Sequence, residues 1–505
     1  MSAAPAQLAV GLVSHTNAGK TTLARTLLRR DIGEVGDRAH VTEVAERHVL
    51  IESPQRDVLS LWDTPGFGDS VRLYKRLLQS EQPVGWVLSQ VWDRFLDRPF
   101  YSGQQALRSA REACDVILYV INASELPEEA RYVDVELKIL AWVGKPVILV
   151  LNQLGPARSQ ARTESELALW RAHLAGHSCI RGALSLDAFG RAWVQEDHLF
   201  AQLEAVLPAE LQPAGARLRA AWRARNLDVF ERSMGVVARQ LTNLALDEES
   251  LQGPDVAAKL RGWVGNVATG RDRGSVELAR AHDVMAQRLV EAARSAMDEL
   301  ITLHGLAGRT AADQLQQLAR ELTVERPADE HKAGLWGGLI SGAAGGIAAD
   351  LATGGLSFGA GALIGGVLGA MGALGAVSAY NMARGRENGR VRWSSDLLNA
   401  RVATALLGYL AVAHFGRGRG EFVQGAVPDH WQAALAVIAR YKPRLEEAWT
   451  IAHEQSNAAE TERQLRRTLT ELTREVLLTL YPDCAAALSG ESNAELAERV
   501  PRPPL

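Results

Sequence analysis

The sequence holds few cysteines and few lysines, and it has no surplus of positive charge. Cys114, Cys179 and Cys484 are the 3 cysteines in 505 residues, and they lie too far apart for a metal or redox motif. A reducing cytoplasm is the setting this implies. Lysine is confined to Lys20, Lys75, Lys138, Lys145, Lys259, Lys332 and Lys442, a coding bias and not a signal of function. The formal net charge of -4 leaves no basic excess of the kind nucleic-acid binders carry, so nucleic acid is not an expected partner. A secretory signal pattern is missing too, because the short uncharged start passes straight into a strand-like run. What is present, 47% hydrophobic and 23% charged residues, belongs to the globular range. The length suits about three domains.

Residues 1–208 alternate strand and helix signals, which predicts an α/β domain with a mostly parallel sheet and helices on both faces. The apolar runs 7–13, 58–62, 116–121 and 146–151 are its expected strands. Directly after the first comes "SHTNAGKTT" (14–22), the phosphate-loop pattern G-x-x-x-x-G-K-[ST] with Ser14 in place of the first glycine. Strand, loop and helix are in the order such a loop needs, so that backbone N–H groups and the helix N-terminus face phosphates. Asn17, Ala18, Gly19, Lys20, Thr21 and Thr22 are the candidate contacts, Lys20 for the β/γ-phosphate end and Thr21 for Mg2+. Downstream, "WDTPGFGDS" (62–70) ends an apolar strand on Asp63, the expected Mg2+-side carboxylate, with Gly66 placed to bond a γ-phosphate. Thr42, between the two motifs, is the candidate threonine that closes on Mg2+ in the triphosphate state.

With these residues in order, 7–190 resembles a translation-factor-class GTPase of the Era and TrmE type. The resemblance implies GTP/GDP binding with Mg2+, and makes Ser14 a minor substitution. It also implies that Asn17 helps to hold a K+ ion beside the phosphates; the local alternative is that Asn17 caps the loop. Lys20, Asn17 and Thr42 are the residues it casts in catalysis. Phe67 follows the DTPG glycine where Ras-like proteins have a glutamine, so intrinsic hydrolysis is expected to be slow and to need K+, dimerisation or a partner. The base-reading motif Asn-Lys-x-Asp is incomplete: the stretch reads Asn152, Gln153, Leu154 and Gly155, without the lysine or the carboxylate. Guanine over adenine is therefore left open. Ser185 is the candidate for the fifth motif, and Asp187 is either a substitute acceptor or a cap.

The stretch 72–115 carries Trp86, Trp92, Phe95, Phe100 and Tyr101, read as a helical insert packing on the sheet or as a nucleotide-dependent surface. From 209 onward the pattern is helical. Leu227, Phe230, Met234, Val237, Leu241 and Leu244 make one apolar stripe, and Leu465, Leu469, Leu472, Val476 and Leu480 another, both expected inside a bundle. Between them, 333–383 is glycine-rich with Asp350 its only charge, and glycines 334/338/342/346 and 361/365/369 repeat at four. The uncharged stretches 333–349 and 351–383 fit a helical hairpin that turns near "ATGGLSFGAG" (352–361), with two apolar arms close to the ~20 residues of a membrane span and burial inside protein as the alternative. Lys332, Arg384, Arg386, Arg390 and Arg392 would hold both ends cytoplasmic.

The expected organisation is therefore a GTPase domain (1–208), a helical domain in two parts (209–332 and 384–505) and the hairpin (333–383). This plan resembles an uncharacterised group of proteobacterial GTPases with a helical C-terminal domain. The expected function is a slowly hydrolysing GTP switch, cytoplasmic or at the inner membrane, touching lipid and pairing with itself through its helices. A soluble Era-like factor in ribosome or RNA assembly and a dynamin-like remodeller are the alternatives.

Overall fold

A computed structural model of the protein describes residues 4–32, 45–79, 83, 85, 98–153, 160–250, 273–306, 390–417 and 431–489. Thr42, Trp86, Trp92, Phe95, Leu154, Gly155 and the 333–383 hairpin lie outside the described residues, as do Lys332, Arg384 and Arg386. The chain divides into two units. One comprises Met1–Asp228, Ala413–Glu421 and Leu480–Leu505, and the other Val229–Val412 and Phe422–Thr479.

In the first unit, chain order is β1 (Gln7–Val13), α1 (Lys20–Leu28), β2 (Glu46–Glu52), β3 (Val58–Asp63), α2 (Ser70–Leu77), α3 (Arg98–Glu112) and β4 (Val116–Asn122). Then come α4 (Arg131–Val143), β5 (Val147–Asn152), α5 (Gln160–His173), β6 (Ile180–Ser185) and α6 (Glu196–Val206). The sheet has strand order β2-β3-β1-β4-β5-β6, with every neighbouring pair parallel except β2–β3. The α/β fold expected from the alternation is thus present. The four predicted strands are there, while β2 and β6 escape an apolar-run reading. The first is an edge strand whose Val49 is exposed, and the second, "IRGALS", is broken by Gly182.

Strand periodicity builds the two cores. Val116, Leu118 and Val120 of β4 enter one cluster with Leu12, Ile148 and Val150. Ile117, Tyr119 and Ile121 enter the other with Val13, Leu149 and Leu151. Alternate side chains point to opposite faces, so a strand covered on both sides is apolar throughout. Phe100, from the aromatic insert, is buried in the second cluster with the Arg72 and Arg76 guanidinium groups 4.5 and 4.9 Å from its ring centre. Of that insert, this residue follows the packing reading.

The helix α7 (Gln212–Leu246) contributes its first turns to this unit, where Leu218 and Trp222 join the first cluster. Charge fixes it there. Arg217 forks onto Asp57 at 2.6 and 2.9 Å, and Arg219 and Arg223 both bind Asp197. Asp57 is fully buried and also accepts from the Ala6 N–H and the Ser53 hydroxyl.

The second unit holds the rest of α7, β7 (Glu248–Ser250), α8 (Arg273–Leu303), β8 (Arg390–Arg392), α9 (Ser395–Ala413), α10 (Gln432–Arg440), α11 (Lys442–Thr450) and α12 (Ala458–Leu480). Both predicted stripes are buried except Leu227, which is half-exposed. The Thr473 hydroxyl meets the Met234 sulfur at 3.2 Å, joining one stripe's helix to the other's. Strands β7 and β8 pair antiparallel, and Glu248 there binds both Arg390 and Arg392 at 2.7 Å. These two arginines, expected as membrane-flanking cations, share one carboxylate, which offsets one of their two charges. Among the described residues only α9 is long and apolar enough to cross a membrane, and 61% of its most apolar window is buried inside protein.

The Arg217 guanidinium beside Asp57 holds that carboxyl well below the usual carboxylate range. A depressed folded pKa means that the pair stabilises above the unfolded value, about 3.9, and that this is lost as pH falls below it. Arg217→Ala is expected to destabilise the first unit by about 2 kcal/mol at pH 7. In urea denaturation the gap between parent and variant should be the same at pH 7 and pH 9 and begin to narrow only below about pH 4, as the unfolded carboxyl takes up its proton.

Candidate nucleotide site

The loop between β1 and α1 is shaped by backbone constraints before any ligand is considered. Gly19 caps α1 with φ 82, a left-handed conformation that suits glycine, and no side chain caps the helix, which leaves its first N–H groups unclaimed by a cap. A Cβ on Gly19 would also lie 2.6 Å from Asn152 Nδ2 and 2.9 Å from Gln153 Nε2. Asn17 is exposed and left-handed too, at φ 65, which accounts locally for an asparagine there. Ala18 and Thr22 are buried beneath the loop.

Lys20, only 7% exposed, donates to the Ser14 hydroxyl at 2.9 Å and to the His15 carbonyl at 3.5 Å. Burial lowers its pKa, opposed by the nearby charges of Asp63 and Glu136. Ser14 is therefore not a silent replacement for glycine: its hydroxyl is the polar partner of the loop lysine.

Asp63, 3% exposed, ends β3 across from α1. The Thr21 hydroxyl donates to its Oδ2 at 2.6 Å, while Oδ1 is buried without a hydrogen-bond partner among the described residues. Burial raises its pKa against the pull of Thr21 and Lys20. A buried carboxylate with one unfilled oxygen beside a hydroxyl is a donor set that fits Mg2+. The DTPG turn is tied to the loop through Phe67, whose N–H donates to the Ser14 carbonyl at 2.9 Å and whose carbonyl accepts from the Thr16 N–H at 3.2 Å. Gly66 makes that approach feasible, because a Cβ there would sit 3.0 Å from Thr16 backbone and 3.1 Å from Lys20 Nζ. The Phe67 side chain is fully buried, so it is a packing residue at the position after the DTPG glycine.

At the base-reading end, Asn152 is fully buried and both ends of its amide serve protein backbone. Nδ2 donates to the Ala18 carbonyl, and Oδ1 accepts from the Ala188 N–H, each at 2.9 Å. Gln153, left-handed at φ 58, donates from Nε2 to the Asn17 carbonyl at 3.3 Å. Ser185 closes β6 in register with Leu151 of β5. Asp187 accepts from the Phe189 N–H at 2.9 Å, the local turn role of an aspartate. The structure thus gathers Asn17 to Thr22, Asp63, Gly66, Asn152 and Gln153 around one loop.

A polar support beneath the loop was not read from the sequence. His15 Nδ1 lies 2.7 Å from Glu136 Oε1, its ring stacks on Tyr132 at 4.3 Å, and Tyr119 donates to Glu136 Oε2 at 2.7 Å. The available signal was a glutamate on the apolar face of α4, between Val133 and Leu137. Burial, with Glu136 beside it, pushes the Tyr119 hydroxyl pKa well up, so it stays a donor.

A family model described as 50S ribosome-binding GTPase matches residues 9–153, and one described as a domain of unknown function, DUF3482, matches residues 178–478. No curated protein matches the sequence. Among solved structures, an Era variant from Aquifex aeolicus bound to GDP and AlF4- is 22% identical with a TM-score of 0.30, covering 40% of this chain and 57% of that one. Era in complex with MgGDPNP and nucleotides 1506-1542 of 16S ribosomal RNA has the same identity and score, covering 40% and 58%. A bacterial selenocysteine-specific elongation factor, EF-Sec, is 13% identical with a TM-score of 0.26, covering 40% and 28%. The chain spans little more than half the length of the Era proteins it matches. The second family match runs over more than half of the sequence: the chain belongs to the DUF3482 family and carries a P-loop GTPase domain ahead of that region.

Proposed function

We propose that the protein is a guanine-nucleotide switch of the Era/TrmE type that binds GTP with Mg2+ and hydrolyses it slowly. The observation that carries this is a pair of buried, oppositely charged groups, Lys20 at the start of α1, held by uncharged oxygens of Ser14 and His15, and Asp63 at the end of β3, whose Oδ1 has no hydrogen-bond partner among the described residues. An anion beside Lys20 and a cation beside Asp63 would complete both, and MgGTP supplies the two together. Lys20 would neutralise charge on the β/γ-phosphates, the Gly19–Thr22 backbone would hold phosphate oxygens, and Gly66 would face the γ-phosphate. Asp63, Thr21 and Thr42 would hold Mg2+, which supplies charge neutralisation on the transferred phosphoryl group. Slow turnover follows from Phe67, whose buried ring cannot orient water. The exposed Asn17 side chain offers its amide oxygen to K+.

Affinity for GTP and ATP, measured by titration calorimetry with Mg2+ in K+ and in Na+, tests this reading. Submicromolar to micromolar GTP binding is expected, tighter than ATP, with faster hydrolysis in K+. Lys20→Ala should abolish binding, whereas Ser14→Gly, by removing the hydroxyl that competes for the ammonium, should tighten it about threefold. Retained GTP affinity in Lys20→Ala overturns the site assignment, equal affinity for ATP overturns the guanine reading, and indifference to K+ removes Asn17 from catalysis.

Membrane association at the cytoplasmic face, with self-pairing through the helices, is the second part of the proposal, supported by the composition of 333–383. After a carbonate wash the full chain should stay with the membrane pellet and a variant lacking 333–383 should not. Recovery of both in the soluble fraction would exclude it.

A further inference from the structure

Within the first unit, residues 415–417 lie against the nucleotide domain and reach two of its elements. Phe415 forms an antiparallel bridge with Gly190, just past β6. The Arg417 side chain donates to the Arg29 carbonyl at 3.0 Å and pairs with Asp31 at 2.8 Å, where α1 leads into the segment carrying Thr42. Gly416 has no room for a side chain: a Cβ would come within 2.1 Å of the Ala188 carbonyl oxygen, and within 2.8 Å of the Phe189 carbonyl carbon. Both are backbone atoms and cannot swing aside.

From this strap a chain of hydrogen bonds runs to the phosphate loop without a gap. The Arg417 N–H donates to the Thr26 hydroxyl at 3.0 Å, and that hydroxyl donates to the Ala188 carbonyl at 3.0 Å. The Ala188 N–H donates to Asn152 Oδ1, and Asn152 Nδ2 donates to the Ala18 carbonyl, both at 2.9 Å. Thr26, Ala188 and Asn152 are all buried, so a broken link would leave a polar group without water to replace its partner. The relay joins the GTPase-matched stretch (Ala18, Thr26, Asn152) to the DUF3482-matched stretch (Ala188, Arg417). In sequence the strap follows directly on α9.

We propose that the strap Phe415–Arg417 is a positioning element of the nucleotide site: docked, it holds Asn152 and the phosphate loop in their binding arrangement, and it loosens when nucleotide leaves. This rests on the nucleotide reading above. Thr26 and Gly416 are positioning residues that act through Ala188 and Asn152. By reciprocity, whatever moves the strap changes nucleotide affinity, and bound nucleotide steadies the strap.

Dissociation of a fluorescent GDP analogue from the full chain, for the parent, Thr26→Val, Thr26→Ser, Gly416→Ala and the Thr26→Val/Gly416→Ala double variant, tests this. Thr26→Val and Gly416→Ala should each release nucleotide about tenfold faster, and Thr26→Ser should restore the parent rate. The double variant should be no faster than either single one, because both cut the same relay. Hydrogen exchange at the 415–417 amides of the parent should slow when GDP binds, a readout that needs no variant to fold. If the parent binds GDP while the variants keep its rate, or its 415–417 exchange ignores GDP, the strap inference fails alone. If the parent binds no guanine nucleotide, the reading beneath it fails as well.

Discussion

Placing an ammonium and a carboxylate in one buried loop cluster is costly, and the geometry around Lys20 and Asp63 answers that cost. Each has one protein hydroxyl as its close partner, Ser14 for the lysine and Thr21 for the aspartate. Neither hydroxyl carries charge, so desolvation dominates both groups, lowering one pKa and raising the other. The glycines at 19 and 66 follow from the same need: the backbone must close around this pair more tightly than a Cβ allows. Under the proposed function, the ligand that completes both groups brings phosphate and cation together.

Around that centre, ordinary fold physics does the holding. The parallel strands β1, β3 and β5 have their carboxyl ends on the same side of the sheet, so that the loop, Asp63 and Asn152 converge from strands distant in sequence. Asn152 illustrates the division of labour. Its amide ties the phosphate loop to the Ala188 backbone, which explains why the asparagine is present although the lysine and the carboxylate expected near it are not. Gln153, in the lysine's place, still bonds the loop at the Asn17 carbonyl.

What was legible in the sequence is what local pattern controls. The phosphate loop, the DTPG turn and four of the strands depend on residues adjacent in the chain, and both helical stripes depend on a short period. Edge strand β2 and Gly182-broken β6 lacked that pattern. The Ser14 hydroxyl looked incidental because its value arises only when Lys20 folds back across six residues. Glu136 and Gly416 are further cases: their meaning comes from partners 121 residues away at His15 and, for Gly416, from the Ala188 backbone. No periodicity announces such contacts. Thr42 and Gly155, which the motif reading weighs heavily, lie outside the described residues.

Mg2+ dependence of GTP affinity, compared between the parent and Asp63→Asn, tests the central claim most directly. Because the variant removes the buried charge but keeps the shape, the parent should bind GTP far more tightly with Mg2+ than in chelator, and Asp63→Asn should bind with an affinity that Mg2+ barely changes. An equal Mg2+ effect in both proteins would contradict the pairing of two incompletely neutralised buried charges as the basis of this site.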